Sequence, residues 1–382
     1  ADGGVSSATA DVDFSDVSFV EGEVFDLQGR FELDMSFDGW LVAAEGFKLS
    51  RGDREWPESS LVAEASVDAD GRIAMLNLRA SYVNLDDSYL LMPLLPDARR
   101  DQWSRLAPSG EIRDLVATIS DIEGDSPQYD ISVNLDGAGI AADGKRPGVR
   151  GFTGHMRANR SGGRIEIRSS NMLLDMPQIM DGPVDILMAA GTVLWRSSNN
   201  ETIVLSDSIR IVNPVLDLNS NVRLTIDDDG GAPDIDLATT FRIDDVSAAR
   251  NYLPGKVMKP KLYNWFQGSL VKGSIDNGRL TLNGPLDKFP FENGEGRFRI
   301  DATARNMTLK YRPDWPAAEQ ANLDIVLENT RLYSARNRST HAGNQAVDTL
   351  VEIPNLREPV LKIEGLVTGN LETLRQFALE SP

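Results

Sequence analysis

Leu216-Asp-Leu-Asn-Ser-Asn-Val-Arg-Leu-Thr-Ile-Asp227 decides the fold of this chain. Leu216, Leu218, Val222, Leu224 and Ile226 share one parity, while Asp217, Asn219, Asn221, Arg223 and Thr225 take the other. Side chains of a β-strand alternate between faces, so one face is apolar and the other is wet. After the Asp227-Asp-Asp-Gly-Gly231 turn, Ile235, Leu237, Phe241 and Ile243 repeat the pattern. The plain inference is a half-buried antiparallel sheet.

The same pattern extends in both directions. Upstream, residues 31–35, 61–67, 73–78 and 164–168 alternate, with turns expected at Glu21-Gly22, Asp38-Gly39 and Asp70-Gly71. Downstream, residues 279–282, 297–300, 323–327 and 360–364 read as strands, and residues 334–347 as a polar loop. Asp-Gly and Asn-Gly dipeptides occur ten times, and each favours a tight hairpin turn. Asn277-Gly278, Asn283-Gly284 and Asn293-Gly294 are read as three such turns in quick succession. Parallel sheets need crossovers of about a dozen residues or more, so a doubly wound α/β fold is excluded.

Helical signals interrupt the strands in three places. Tyr89 to Pro96 leads into an amphipathic helix carrying Trp103 and Leu106. Residues 247–253 and 259–270 form a helical pair with Tyr252, Trp265 and Phe266. A third start follows Asn370. The first two resemble each other in their Tyr, Trp and Gly spacing, which reads as a long, degenerate repeat. The expected organisation is one continuous segment with repeat units 1–85, 86–245 and 246–368, and 369–382 opening a further unit. The chain opens mid-pattern at Ala1 and stops soon after a helix start, so it reads as a piece of a longer protein.

Composition removes several function classes. The net charge of −19 argues against a nucleic-acid partner and against an anionic membrane face. There is no cysteine, hence no disulfide, thiolate nucleophile or Cys-based zinc site. No run is long and apolar enough to span a bilayer as a helix. Asp227-Asp228-Asp229-Gly230 fails as a calcium loop because the twelfth position is Ala238. No Gly-rich phosphate loop and no Gly-x-Ser-x-Gly elbow is present. The two histidines, His155 on an expected strand and His341 in the expected polar loop, read as surface or rim residues. Trp103, Trp265 and Phe266 read as anchors that dock helices on the sheet, with lining or gating an apolar groove as the alternative; Trp56-Pro57 and Trp315-Pro316 read as edge or loop anchors. The chain is expected to be non-enzymatic and to need no cofactor or metal.

An apolar sheet face must be covered by something, and few helices are on hand to do it. Either the sheet closes on itself, or it curls into a trough whose floor suits acyl chains. The floor candidates are Leu216, Leu218, Val222, Leu224, Ile226, Ile235, Leu237, Phe241, Ile243, Leu280, Leu282, Phe298, Ile300, Leu323, Ile325 and Leu327. The alternative role for each is ordinary sheet core.

An ordered series of residues then carries a resemblance. Tyr252-Leu-Pro254, Trp265, residues 273–278, Leu282-Asn-Gly284, Phe289-Pro-Phe291, residues 294–298 and Asp314-Trp-Pro316 are together similar to the central region of YhdP-type proteins. These belong to the AsmA-like group of Gram-negative envelope proteins. The resemblance is densest over residues 245–330. It implies a mainly β fold: a long, twisted antiparallel sheet curled into an elongated groove and interrupted by short amphipathic helices. It implies a periplasmic region anchored at the inner membrane, and movement of phospholipids between inner and outer membranes. It supplies no catalytic residues. The rivals are a structural or adhesive β-rich envelope protein with a closed core and no lipid cargo, and, further off, a carbohydrate-active enzyme on a β scaffold.

Overall fold

The computed structural model describes residues 6–20, 23–36, 38–87, 97–122, 127–144, 146–198 and 200–381. The expected turn at Glu21-Gly22 and the approach to the first helix over 89–96 lie outside them. Among the described residues the chain is mainly β: twenty strands in antiparallel pairing and a few short helices. Two compact units divide it, residues 1–174 with 194–197, and residues 175–193 with 198–382.

The first unit runs through β1 (Ser7–Val20), β2 (Glu23–Ser36), β3 (Gly39–Arg51), the short β4 (Arg54–Glu55), β5 (Ser59–Val67) and β6 (Ile73–Asn84). Helix α1 (Asp97–Leu106) follows, then β7 (Ser109–Ser120), β8 (Gln128–Ile140), β9 (Gly148–Asn159) and β10 (Gly162–Asp175). Sequential strands pair antiparallel, and β3 pairs with β5 past the β4 turn. The register stacks Leu33, Val42, Ala63, Leu78, Ala117, Ile131 and Ala158 in one row across neighbouring strands. One face of this sheet is therefore apolar from strand to strand.

The second unit contains most of β11 (Val184–Ser197), then β12 (Glu201–Val212), β13 (Leu216–Asp227) and β14 (Asp234–Ile243). The helical crossing comes next: α2 (Val246–Ala249), a 3-10 turn (Arg250–Tyr252) and α3 (Pro260–Ser269). Asp245 caps α2 by accepting from the Ser247 amide, and Pro260 starts α3 where its missing N–H costs nothing. Strands β15 (Leu270–Pro285), β16 (Arg297–Leu309), β17 (Ala318–Glu328), β18 (Arg331–His341), β19 (Asn344–Ile353) and β20 (Lys362–Thr368) follow, and α4 (Leu371–Glu380) comes after them.

Three sequence expectations are overturned here. Asn277-Gly278 and Asn283-Gly284 are not turns; both lie inside the single strand β15. Their glycines serve close approach, since a Cβ on Gly278 would meet the Phe241 ring and one on Gly284 would meet Gly296 and Phe291. Asn293-Gly294 does form the turn into β16, with Gly294 at φ 83°. Residues 334–347 are not a loop but parts of β18 and β19 joined at Ala342-Gly343. Their polarity is internal: Asn337 is buried and donates from Nδ2 to the Thr349 carbonyl at 2.8 Å. The last strand begins at Lys362 rather than Val360.

Strands β16 to β19 each carry a non-glycine residue with positive φ: Asn306 (50°), Gln320 (49°), Arg336 (60°) and Asp348 (51°). Register shifts sit at these points. Such β-bulges bend a strand and increase its twist, which is how an open sheet curls.

Candidate functional site

In the second unit the pairing register decides which side chains share a surface. Val204, Leu224 and Ile235 form one row. Val222, Leu237, Leu282 and Phe298 form the next. Ser220, Thr239, Leu280, Ile300, Leu327 and Leu332 form a third. Leu218, Phe241, Gly278, Ala302 and Ile325 form a fourth, and Leu216, Ile243, Ile275, Ala304 and Leu323 a fifth. Ile226, two residues past Leu224, continues the same face to the end of β13. The sixteen floor candidates thus lie together on one face of β13 to β17.

Every one of those sixteen side chains is half-buried; none is fully covered and none is fully exposed. A sealed core would bury them, and a free surface would expose them. The one polar interruption, Ser220 with Thr239, is internally satisfied by a hydroxyl–hydroxyl bond of 2.9 Å.

Two devices bound the strip. After β14, Val246 of α2 packs with Ala304, Met307, Ala318 and Ala321, all buried, and with Ile243, Ile275 and Leu323 around them. At the opposite strand ends, Phe291 is fully buried, and Phe289 stands edge-on to Phe298 with ring centroids 5.1 Å apart. Asn329 fixes that loop, donating from Nδ2 to the Phe291 carbonyl at 3.1 Å and accepting the Phe298 amide at 2.8 Å. Phe289 itself stays 49% exposed.

The reverse face is charged. Arg210 grips Asp217 through two contacts of 3.1 and 2.9 Å, and Arg299 binds Asp301 at 2.6 Å and Glu328 at 3.3 Å. The hydrogen bonds from these arginines hold the Asp217 and Asp301 carboxyls below the ordinary carboxylate range. These exposed ladders keep that face in water and add little stability each.

Helices and aromatics are placed as docking elements. Trp265 of α3 lies against Phe266 and donates from Nε1 to the Tyr311 carbonyl at 3.1 Å. Trp315 contacts Tyr311 and Phe377, and Trp56 contacts Phe47 and Tyr82. Trp103 is half-buried on α1. His155 is on β9 beside Asn134, 2.8 Å from its Oδ1. His341 ends β18 instead of lying in a loop, and it sits between Tyr311 and Phe377 with Nε2 2.9 Å from the Ser339 hydroxyl. Among the described residues no cluster of three or more His, Asp or Glu is arranged to hold a metal ion. None of their helices is long and apolar enough to cross a membrane.

Alternation missed part of this surface. Val204, Ile211, Ile275, Ala302, Leu332 and Val351 extend the same face, and the Phe289–Phe291 loop ends it. Parity carried one strand back from β13 fits Val204, and the register shift between Ser206 and Ile209 brings Ile211 onto the same face.

The family model described as YhdP protein matches residues 1–382. The intermembrane phospholipid transporter YhdP of Escherichia coli (strain K12) is 22% identical over 355 residues, which cover 90% of this chain and 28% of that protein. The chain therefore spans little more than a quarter of that relative's length. No solved structure matches it.

Proposed function

The chain belongs to the YhdP family, and from that premise we propose that it forms a segment of a periplasmic conduit carrying phospholipids between the inner and outer membranes. The observation that carries this reading is the continuous, half-buried apolar face of β13 to β17. Acyl chains lie along that floor, and headgroups stay near the open side. Covering the half-exposed leucines, isoleucines and phenylalanines with hydrocarbon is favourable by about 25 cal/mol per Å² of apolar surface removed from water. The relative's role as an intermembrane phospholipid transporter supports phospholipid as the cargo. The reading assigns the chain no catalytic step and places the full-length protein at an inner-membrane anchor. In this reading the repeat units are 1–85, 86–245 and 246–368, with 369–382 opening a further one; α1 falls in the second, α2 and α3 in the third, and α4 in the last.

The closed-core structural reading draws support from one place, the sealed cluster around Val246. A parity experiment separates the two. A photo-crosslinking residue is placed at Leu224, and separately at Thr225, in the full-length protein in a Gram-negative envelope. Irradiation and mass spectrometry are expected to give lipid adducts at 224 and not at 225. No adduct at either position in folded protein would sink the conduit reading.

A further inference from the structure

A pocket of about 510 Å³ opens in the first unit, where the apolar face meets the strand ends. Tyr82 lies two residues beyond Ala80 on that face and pairs with Arg113. Trp56 stands edge-on to Tyr82, with centroids 5.3 Å apart. The indole is fixed, since its Nε1 donates to the buried Asp87 carboxylate at 2.9 Å, and Asp87 is flanked by Arg51 and Arg54. Around these rings stand Lys48, Glu55 and Glu58, with Glu111 and Arg113 behind.

The charges divide into two sets. Arg113 and Glu111 satisfy each other at 2.6 Å, and the Arg113 guanidinium lies over the Tyr82 ring at 5.4 Å. Burial, with Glu111 close by, pushes the Tyr82 hydroxyl up to about 12, so it stays protonated. Lys48, Glu55 and Glu58 make no hydrogen bond or ion pair to another described side chain. The pocket thus presents Lys48, Glu55 and Glu58, all exposed and without an ion pair among the described residues, beside the half-buried Trp56 ring, which the buried Tyr82 backs. Carboxylates beside aromatic rings favour an ammonium group, and a lysine at the same mouth favours a phosphate oxygen.

We propose that this pocket is a headgroup subsite for a zwitterionic phospholipid: phosphate toward Lys48, ammonium toward Glu55, Glu58 and the Trp56 ring. The assignment rests on the conduit reading. It goes further by naming the headgroup class that this stretch of the groove favours over a purely anionic one. Two exposed charge contacts of this kind together give a preference of about twofold to thirtyfold.

The test uses full-length protein reconstituted with vesicles of equimolar phosphatidylethanolamine and phosphatidylglycerol. A photo-crosslinking residue replaces Pro57 at the pocket mouth, or Leu224 on the floor of the other unit. Adduct mass reads acyl chains and headgroup together. The expected result is an ethanolamine enrichment of about twofold or more at 57. Glu55→Gln with Glu58→Gln should abolish that enrichment while adducts at 224 continue. Equal or glycerol-rich adducts at 57, adducts without acyl chains, or none at 57 while 224 still labels, would each overturn the headgroup subsite and leave the conduit standing. Absence of lipid at 224 as well would overturn the conduit itself.

Discussion

Gly278 lies directly beneath the Phe241 ring: a Cβ on Gly278 would stand 2.3 Å from ring carbons Cε2 and Cζ. The two residues are cross-strand partners on β15 and β14. The missing side chain lets the phenylalanine lie flat along the apolar face. Gly278→Ala is therefore expected to destabilise the protein by about 1–3 kcal/mol through overpacking. Phe241→Leu in the same chain should restore part of the loss. Thermal unfolding of the two single variants and the double variant measures the coupling, and additive effects would refute the contact.

That pair also shows where sequence reading stops. Alternation in Leu216 to Ile226 was enough for the sheet and for which residues share its apolar face, because no bulge shifts the phase there and Ser220 alone breaks the apolar parity. Asn277-Gly278 has the composition of a hairpin turn, and only the tertiary position of Phe241 makes it strand. In β16 the buried parity runs through Ala302 and Ala304 and then switches to Met307, because the bulge at Asn306 shifts the phase. The same phase shift at Arg336, with the buried polar Asn337 after it, made residues 334–347 look like a loop. The Tyr82 pocket joins residues from four separate segments, so no spacing rule could have assembled it.

Leu237 and Met307 should respond differently to truncation. Met307 is 2% exposed within the Val246 cluster, so Met307→Ala leaves a cavity and should cost about 2–5 kcal/mol. Leu237 is half-buried between Val222 and Leu282, so Leu237→Ala opens no closed void and should cost only about 1 kcal/mol. Denaturant midpoints compare them. A Leu237 loss as large as that of Met307 would mean that the floor is sealed.

Asn344 fastens α4. It is fully buried; its Nδ2 donates to the carbonyls of His341, Ala342 and Thr373, and its Oδ1 accepts from the Thr373 hydroxyl at 2.8 Å. Asn344→Ala strands several buried acceptors, each costing about 1–3 kcal/mol. Hydrogen exchange of residues 371–380 should accelerate while that of β13 and β14 stays unchanged. Unchanged protection of α4 would show that Phe377 alone holds it.

The attachment of α4 should also weaken in acid. His341 is half-buried among Tyr311 and Phe377, with Trp315 beside both rings and Ser339 on its Nε2. Burial lowers its pKa from the ordinary 6.5, and the Pro316 carbonyl and Glu319 offset only part of that. A base whose folded pKa is depressed favours the folded state in its neutral form. That stability is complete above pH 6.5 and drains away as pH falls through the lowered value. A charged imidazolium in the aromatic box loosens the seat of Phe377. Exchange protection over 371–380 should therefore fall between pH 7.5 and 5 relative to β13, after correction for intrinsic rates. His341→Phe keeps the ring contacts and removes the charge, so its protection ratio should be flat across that range. A wild-type ratio that is flat or rises toward acid would contradict the assignment.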